Sequence, residues 1–516
     1  MVPVETDPLP GTRLPQEGET PATVLAIPGP VVKQYDVHDV VADAIEAIGP
    51  DIIIATPPNS THVALPPVTR ITDIPVVDPS RSASYHAVGG SGVLFAMVPT
   101  PDHLPPTPTD VPRETGGSGG FAGLEHCYLV SNCLELTIDP HHRETRLEGI
   151  DEYLDSLPDG WLDESLITHV STGLRAEYQA RYETATDTYP IHGAGPPTSS
   201  VGAAIDENER PLIELSVYSN GAIRVETHDP TNFGLQGLEG IGPTKAERLR
   251  DHGFNSRDAI AGTTPKALAK IRGFGEKTAT AVHKSATAIA TGEVVPRDGG
   301  TLPNGDPVFI DVETNGFNGE IAWLVGVLDG GSEEGHYLPF RQQEHDDPIG
   351  HVDAFMSWLT GVAGGRPVVA WNGYGFDFPI IKRHLERDAP EWVDDWESRY
   401  QFDPLYYATT QGHATFPARS NRLEAVAAAL GWESTTTGVD GGTAAREYNT
   451  WQQTANQSDG YQPDWDRLEA YCEDDVRALA TVYEALQDAS RRPPGTEMPK
   501  NRTGEQSRQG SLSDFS

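Results

Sequence analysis

The sequence predicts a multidomain α/β protein, and three observations carry that reading. In the C-terminal third, the apolar runs Pro307–Ile310 and Val368–Trp371 each lead straight into a polar motif, and helical patterns follow them. Near the middle, an apolar residue followed by Gly-x-Gly occurs twice within a helical stretch. The length of 516 residues exceeds what one hydrophobic core organises, so three or more domains are expected. The expected divisions are an α/β region over 1–99, a linker or long loop over 100–120, and an α+β region over 121–232. An all-helical unit over 233–293, a sheet-and-helix domain over 303–490 and a disordered tail over 491–516 follow.

From the N-terminus, Val24–Ile27 and Asp51–Ala55 read as strands with a helix over 39–48 between them, a β-α-β sketch. No Gly-rich loop follows either strand, so no nucleotide site is expected there. Thr100–Gly120 is rich in Pro, Thr, Gly and Ser and reads as an extended linker or long loop. Strands are expected over 124–138 and 212–225, flanking helices from about 147 to 180. Within Val217–Val225, Asn220-Gly221 is expected to supply the positive backbone angles of a hairpin turn. His142, His169 and His192 lack ligand spacing and read as ordinary surface or core histidines. The three cysteines, Cys127, Cys133 and Cys472, form no Cys-x-x-Cys pair, which argues against a disulfide framework or zinc knuckle and fits a reducing compartment. Ala489–Ser516 lacks apolar periodicity and reads as disordered.

The central repeat is Leu238-Glu-Gly240-Ile-Gly242-Pro-Thr-Lys245 and Ile271-Arg-Gly273-Phe-Gly275-Glu-Lys277. The pair resembles a tandem helix-hairpin-helix domain. That resemblance implies that Gly240, Gly242, Gly273 and Gly275 let the backbone approach a phosphate, which the amides at the next helix N-terminus bind. Lys245 and Lys277 join them as nucleic-acid-binding candidates. Such contacts address the backbone and carry no base information. Charge supports the reading independently. The chain has a formal net charge of −39 and only eight lysines, five of them within 238–290, where nine basic residues face five acids. A basic run against the global bias points to a polyphosphate partner. Docking of another protein is the alternative.

Three carboxylate motifs carry the chemistry. Asp311-Val-Glu313-Thr314 follows one apolar strand, Asn372-Gly-Tyr-Gly-Phe376-Asp377 follows the other, and Tyr471-Cys-Glu-Asp-Asp475 lies in a helical pattern. Residues two apart on a strand, Asp311 and Glu313, share a face. Residues four apart on a helix, Tyr471 and Asp475, do likewise. Four carboxylates in one cleft repel each other unless cations bind, and oxygen ligands suit Mg²⁺ or Mn²⁺. Two such ions would activate a water and stabilise a leaving oxygen in phosphodiester hydrolysis. Tyr471, a neutral phenol, would orient the water. Thr314 and Asn372 are expected to contact nucleic acid. Either Asp-x-Glu or Tyr-x-x-x-Asp alone is weak in a chain with 76 acids; their order and context give them weight.

On these motifs, residues from about 303 to 490 resemble the DEDD 3′–5′ exonuclease superfamily, whose fold is RNase H-like. The tyrosine of the third motif matches the DEDDy branch. Phe402-Asp-Pro-Leu405, Asn421-Arg-Leu-Glu-Ala-Val-Ala427 and Leu430-Gly-Trp432 are similar to YprB-like RNase H-type exonucleases, and a likeness to proofreading domains of B-family DNA polymerases is also present. The resemblance implies a mixed sheet flanked by helices, with Asp311, Glu313, Asp377 and Asp475 as metal ligands and Tyr471 as the water-positioning residue. An inert RNase H-like remnant is the competing reading. Glu473 and Asp474 adjoin Asp475, so the register of the third motif depends on the Tyr-x-x-x-Asp spacing.

The composition resembles that of salt-adapted cytoplasmic proteins, as in halophilic archaea: acids outnumber bases two to one and arginine replaces most lysine. At molar salt the Debye length falls to about 3 Å, so an acidic chain can still approach nucleic acid. Nine tryptophans and the apolar strands argue against a disordered acidic protein. No signal segment and no apolar run near 18 residues is present, so a soluble cytoplasmic protein without membrane contact is expected. DNA is favoured over RNA as substrate because tandem helix-hairpin-helix domains mostly serve repair and recombination. RNA exonuclease, structure-specific endonuclease and non-enzymatic DNA-binding accessory protein are the alternatives.

Overall fold

Runs of β-branched residues build the N-terminal third. In the computed structural model, β1 (Ala22–Pro28) and β2 (Ile52–Thr56) pair in parallel, joined through α1 (Gly29–Gln34), a π-helical turn at Val37–Val41 and α2 (Ala42–Ile48). This is the expected β-α-β unit. The structure describes residues 20–56, 66–88, 90–112, 120–139, 144–162, 166–176, 178–183, 188–195, 211–297, 299–316, 319, 321–435, 439, 441–455 and 460–491. The expected tail beyond Arg491, and His142, lie outside the described residues.

The strands that follow are β3 (Val76–Val77), β4 (Ser84–Val88), β5 (Val93–Met97), β6 (His126–Ser131), β7 (Glu135–Asp139) and β8 (Glu144–Glu148). After α3 (Ile150–Ser156) come β9 (Ile167–Arg175), β10 (Gln179–Glu183), β11 (Thr188–Gly195), β12 (Leu212–Val217) and β13 (Ile223–His228). They form a five-stranded sheet, β13-β12-β1-β2-β3, and a six-stranded sheet, β10-β11-β9-β6-β5-β4. The two sheets share a core in which Val24, Ile52 and Ile54 meet Phe95, Met97 and Tyr128. Strands covered on both faces read as continuous apolar runs, as β2 and β5 do.

Three expectations are corrected here. Helix was expected from about 147 to 180, but it ends at Ser156, and Ile167–Arg175 is a central strand. Its Thr168, His169, Ser171 and Thr172 are buried, so the strand lacks an apolar signature. Their bonds are made inside the fold: His126 Nε2 and Thr168 Oγ1 lie 2.8 Å apart, and Ser171 Oγ donates to the Leu134 carbonyl at 3.0 Å. Second, of the two readings of the 100–120 segment, its described part is a long loop packed on the fold and not an extended linker: Pro101, Leu104, Pro108 and Val111 are buried. Pairing of Val93 with His126 and of Ala22 with Val217 runs across the expected division at 100–120. Third, in the β12–β13 turn only Gly221 takes a positive φ, +89°. Asn220 instead accepts the Ala222 N–H through its side chain at 2.9 Å.

The central helical unit comprises α4 (Pro243–Asp251), α5 (Arg257–Ala261), α6 (Pro265–Leu268) and α7 (Glu276–Thr291). Leu238, Ile241, Leu249, Ile271, Phe274 and Val282 fill its core. It docks on the N-terminal unit through acids of the first β-α-β. Arg250 pairs with Asp39, and Arg257 lies 3.4 Å from Asp43, which Arg419 of the C-terminal domain also reaches at 3.0 Å. Burial alone would raise Asp43, but Arg419 and Arg257 hold its carboxyl below the ordinary range.

A two-residue strand, β14 (Val295–Pro296), leads into the C-terminal domain: β15 (Val308–Thr314), β16 (Ala322–Asp329), β17 (His336–Arg341), α8 (Gly350–Gly361), β18 (Val368–Val369), α9 (Asp377–Asp388), α10 (Val393–Glu397), β19 (Gln401–Phe402), β20 (Ala414–Thr415), α11 (Leu423–Ala429), α12 (Gly441–Gln453) and α13 (Trp465–Arg491). The sheet order is β17-β16-β15-β18-β19, antiparallel through the first three strands and parallel from β15 to β19. Phe309 packs toward α13 with Leu479 and Tyr483, while Val308, Ile310 and Val312 pack toward α8 and α9. The period-2 alternation therefore sends Asp311 and Glu313 to the α13 side. No described helix is long and apolar enough to cross a membrane.

Candidate active site and nucleic-acid interface

The sheet opens where the first two motifs meet. β18 pairs with β15 only at Val308 and Phe309, so further along the β15 backbone loses its parallel partner. Asp377 takes that place. It is buried at the start of α9, and the Val312 N–H donates to its Oδ1 at 3.0 Å. The turn before it needs its particular residues. Asn372 takes φ +53°, the only positive φ at a non-glycine among the described residues. A Cβ at Gly373 would sit 2.6 Å from the Phe378 ring, and one at Gly375 2.6 Å from Asn372 Oδ1.

The bulge between Glu313 and Thr314 re-aims the end of β15. Opposite it, the Ala322 N–H donates to His384 Nε2 and the Ala322 carbonyl accepts from His351 Nε2, each at 2.8 Å. Gly326 faces Asp311 across the antiparallel pair, and a Cβ there would lie 2.3 Å from Cys472 Sγ. This absence of a side chain lets α13 seat against the sheet, and the Cys472 thiol donates to Asp311 Oδ2 at 3.4 Å. Oxygens of Asp311 and Glu313 and the Cys472 sulfur all lie within 4.8 Å of one another, close enough for one ion.

The three acids of the third motif have different surroundings. Asp474 is buried and accepts from Thr435 N–H at 3.2 Å, Thr435 Oγ1 at 3.1 Å and the Ser434 hydroxyl. Glu473 pairs with Arg477 at 2.6 Å. The Asp475 carboxyl, raised first by burial, is also close enough to Asp311 to be raised by its charge, and the neighbouring Tyr471 hydroxyl works in the opposite direction. Of these three acids, Asp475 is the one electrostatically linked to Asp311, while Asp474 ties α13 to the segment before α12.

The charges in the cleft strain against one another. Burial, then the Glu424 carboxylate, raises Asp311 to about 6. Asp377 is pushed well above the ordinary range by burial and by Asp311, and Asp475 by burial, Asp311 and Glu424. Among the described residues, Asp311, Asp377 and Asp475 have no Lys or Arg ion pair. Tyr471 is held neutral, raised by burial and by Asp475. A site this short of positive charge fits divalent cations.

Sequence reasoning missed three neighbours. Glu424, exposed on α11, is a further acid acting on the cleft. Cys472 sat inside a quoted motif without a role. Asp403, buried after β19, accepts the Tyr374 and Tyr406 N–H groups at 3.3 and 3.0 Å. Of the two expected nucleic-acid contacts here, Asn372 is exposed, whereas Thr314 is buried and its hydroxyl donates to the Gly316 carbonyl at 2.9 Å.

The two hairpins match each other. Gly240 and Gly273 take φ of +72° and +93°, and Gly242 and Gly275 are the N-caps of α4 and α7. Nothing lies within 4 Å of a Cβ at Gly242 or Gly275, so both helix starts are open. Lys277 is exposed. Lys245 instead donates to the Gly240 carbonyl at 2.8 Å and lies 6.0 Å from the Phe274 ring of the other hairpin. Arg248 also links the hairpins, donating to the Arg272 carbonyl at 3.1 Å. The local basic excess is therefore divided: Arg250 and Arg257 meet Asp39 and Asp43 of this chain, while Lys266, Lys270, Arg272 and Lys277 stay exposed.

Residues 308–487 match the family model of the RNase H superfamily, and residues 234–287 match that of the SAM-like helix-hairpin-helix tandem. The C-terminal domain is thus RNase H-like and the central unit a helix-hairpin-helix tandem, an arrangement suited to binding nucleic acid.

Proposed function

We propose that this protein is a metal-dependent nuclease, a DEDDy-type, YprB-like 3′–5′ exonuclease acting on DNA in repair or recombination. The observation that carries this reading is the convergence of Asp311, Asp377 and Asp475 from β15, α9 and α13, with no Lys or Arg ion pair to these three among the described residues. Asp311, Glu313, Asp377 and Asp475 would hold two Mg²⁺ or Mn²⁺ ions. Bound there, the ions would supply charge neutralisation and Lewis acidity for phosphodiester hydrolysis. Tyr471 would donate a hydrogen bond to Asp475, keep its proton, and use its oxygen lone pairs to accept from a water and aim it at the phosphorus. Because Tyr471 stays protonated, it orients rather than deprotonates.

The hairpins grip the backbone through the open amides at Gly242 and Gly275, with Lys277 adding charge. In the acidic remainder of the chain this is the natural phosphate entry. Convergence of the carboxylates counts against a non-enzymatic accessory protein. The test is purified protein in molar salt with Mg²⁺ or Mn²⁺, offered end-labelled single- and double-stranded DNA and RNA. A ladder shortening from the 3′ end of DNA is expected. Internal cuts would replace the exonuclease reading by an endonuclease, preference for RNA would move the substrate, and no cleavage of any substrate would overturn the proposal.

A further inference from the structure

Tyr374, Tyr400 and Tyr406 are three of the five large apolar side chains exposed among the described residues, at 45, 58 and 39 %. All three line one cleft of about 260 Å³, together with Thr301, Gln411 and His413. Exposed apolar rings gathered in one place mark a binding surface. We propose that this cleft is a stacking pocket for an unpaired nucleobase of the substrate strand, an inference that rests on the nuclease reading above.

The chemistry of the walls selects the occupant. Among the described residues the lining contains no lysine or arginine, and its one charged group there is the Asp403 carboxylate. A phosphate is therefore repelled. Exposed tyrosine rings and hydroxyls, with an amide, a threonine hydroxyl and an imidazole also in the lining, suit a flat, neutral heterocycle with hydrogen-bonding edges. The pocket is also built in advance. Asp403 accepts the N–H groups of both Tyr374 and Tyr406, clamping two loop segments so that their rings meet edge to face at 5.2 Å. The Tyr374 hydroxyl donates to the Gln401 carbonyl at 2.8 Å, which fixes that ring further. Pre-ordered side chains lose less entropy on binding.

Position supplies the second argument. Tyr374 lies in the turn that delivers Asp377, and its ring contacts Phe378 of α9 at 5.5 Å. On the opposite side, Gly299 and Thr301 belong to the segment joining the hairpins to the catalytic domain. That segment is tied down by Arg297, whose N–H donates to the His413 carbonyl at 2.8 Å. The cleft thus borders the acidic site at one end and the connection to the phosphate grip at the other. A strand held by both would pass it, and an unstacked base could enter.

The experiment uses the full chain in molar salt with EDTA, so that binding is read without cleavage. Single-stranded DNA carrying 2-aminopurine at successive positions from its 3′ end is the probe. One position is expected to be quenched on binding. Tyr400→Ala and Tyr406→Ala should each restore its fluorescence and weaken binding about tenfold or more, the usual effect of removing one stacking ring. Tyr400→Phe should behave as wild type, since it keeps the ring. Unquenched probe with wild type, or alanine variants that bind and quench normally, would overturn the pocket. Quenching relieved by alanine in a protein that cleaves nothing with Mg²⁺ would leave the pocket standing and remove the nuclease reading. Normal cleavage with alanine variants indistinguishable from wild type would do the reverse.

Discussion

The acidic cleft and the hairpin unit present opposite electrostatic arrangements within one acidic chain. In the cleft, Asp311, Asp377 and Asp475 come together with no arginine or lysine partner among the described residues, and each is raised above the ordinary carboxylate range. In the hairpin unit, part of the positive charge is neutralised by the chain's own Asp39 and Asp43. What remains for a ligand there is chiefly backbone: two glycine-capped helix starts with open space before them. The difference teaches that uncompensated charge marks the site proposed to take a cation, while the proposed phosphate grip would depend more on amide geometry than on net charge.

The comparison breaks most readily at Asp311. Asp311→Asn removes charge shared by both proposed ions, and a loss of activity beyond about a thousandfold is expected, with the fold intact. Steady-state cleavage at saturating Mn²⁺ checks it; substantial residual activity would sink the two-ion assignment. Next comes Tyr471→Phe, which keeps the ring and loses one positioned hydrogen bond. About a ten- to thousandfold fall in rate is expected. Asp475→Asn should be nearly inactive, and Asp474→Asn should lose stability rather than chemistry because its bonds go to Ser434 and Thr435. The reverse pattern would shift the third motif by one residue.

Smaller effects sharpen the other half. Lys277→Glu should weaken DNA binding several-fold, leaving the saturated rate and thermal stability nearly unchanged. Lys245→Glu should weaken binding and also lower stability, since Lys245 holds Gly240 and lies by Phe274. Unchanged affinity for every nucleic acid would favour protein docking by this unit.

The smallest effect is in pH. Folding raises Asp311 from 3.8 to about 6, so the folded state binds its proton more tightly than the unfolded chain. The stability this contributes is full below pH 4 and is lost as pH rises through 6. In EDTA, thermal stability should therefore fall over that interval more steeply in wild type than in Asp311→Asn. Equal slopes in the two proteins would show that the carboxyl is not strained.

How much of this was legible depends on which physical signal a residue leaves in the sequence. β15 was readable because apolar residues run directly into Asp311 and Glu313 with a period of two, and α13 because its buried positions follow helical spacing. The hairpins were readable because a glycine needing positive φ recurs in a fixed frame. β9 was not, since its buried Thr168, His169, Ser171 and Thr172 find partners far along the chain. Glu424, Cys472 and Asp403 were missed for the same reason: what they do depends on tertiary neighbours. The docking of Arg250 and Arg257 on Asp39 and Asp43 likewise joins residues about two hundred positions apart, beyond any local pattern.

The central claim is that four carboxylates form a site for two divalent ions. Calorimetric titration of the metal-free protein with Mn²⁺ in molar salt, at a pH above 7, tests it most directly. Two ions per chain are expected for wild type, with Asp311→Asn losing affinity at both sites and Asp474→Asn retaining both. Wild-type protein that cleaves DNA while binding no Mn²⁺, or Asp311→Asn that binds two ions as wild type does, would contradict it.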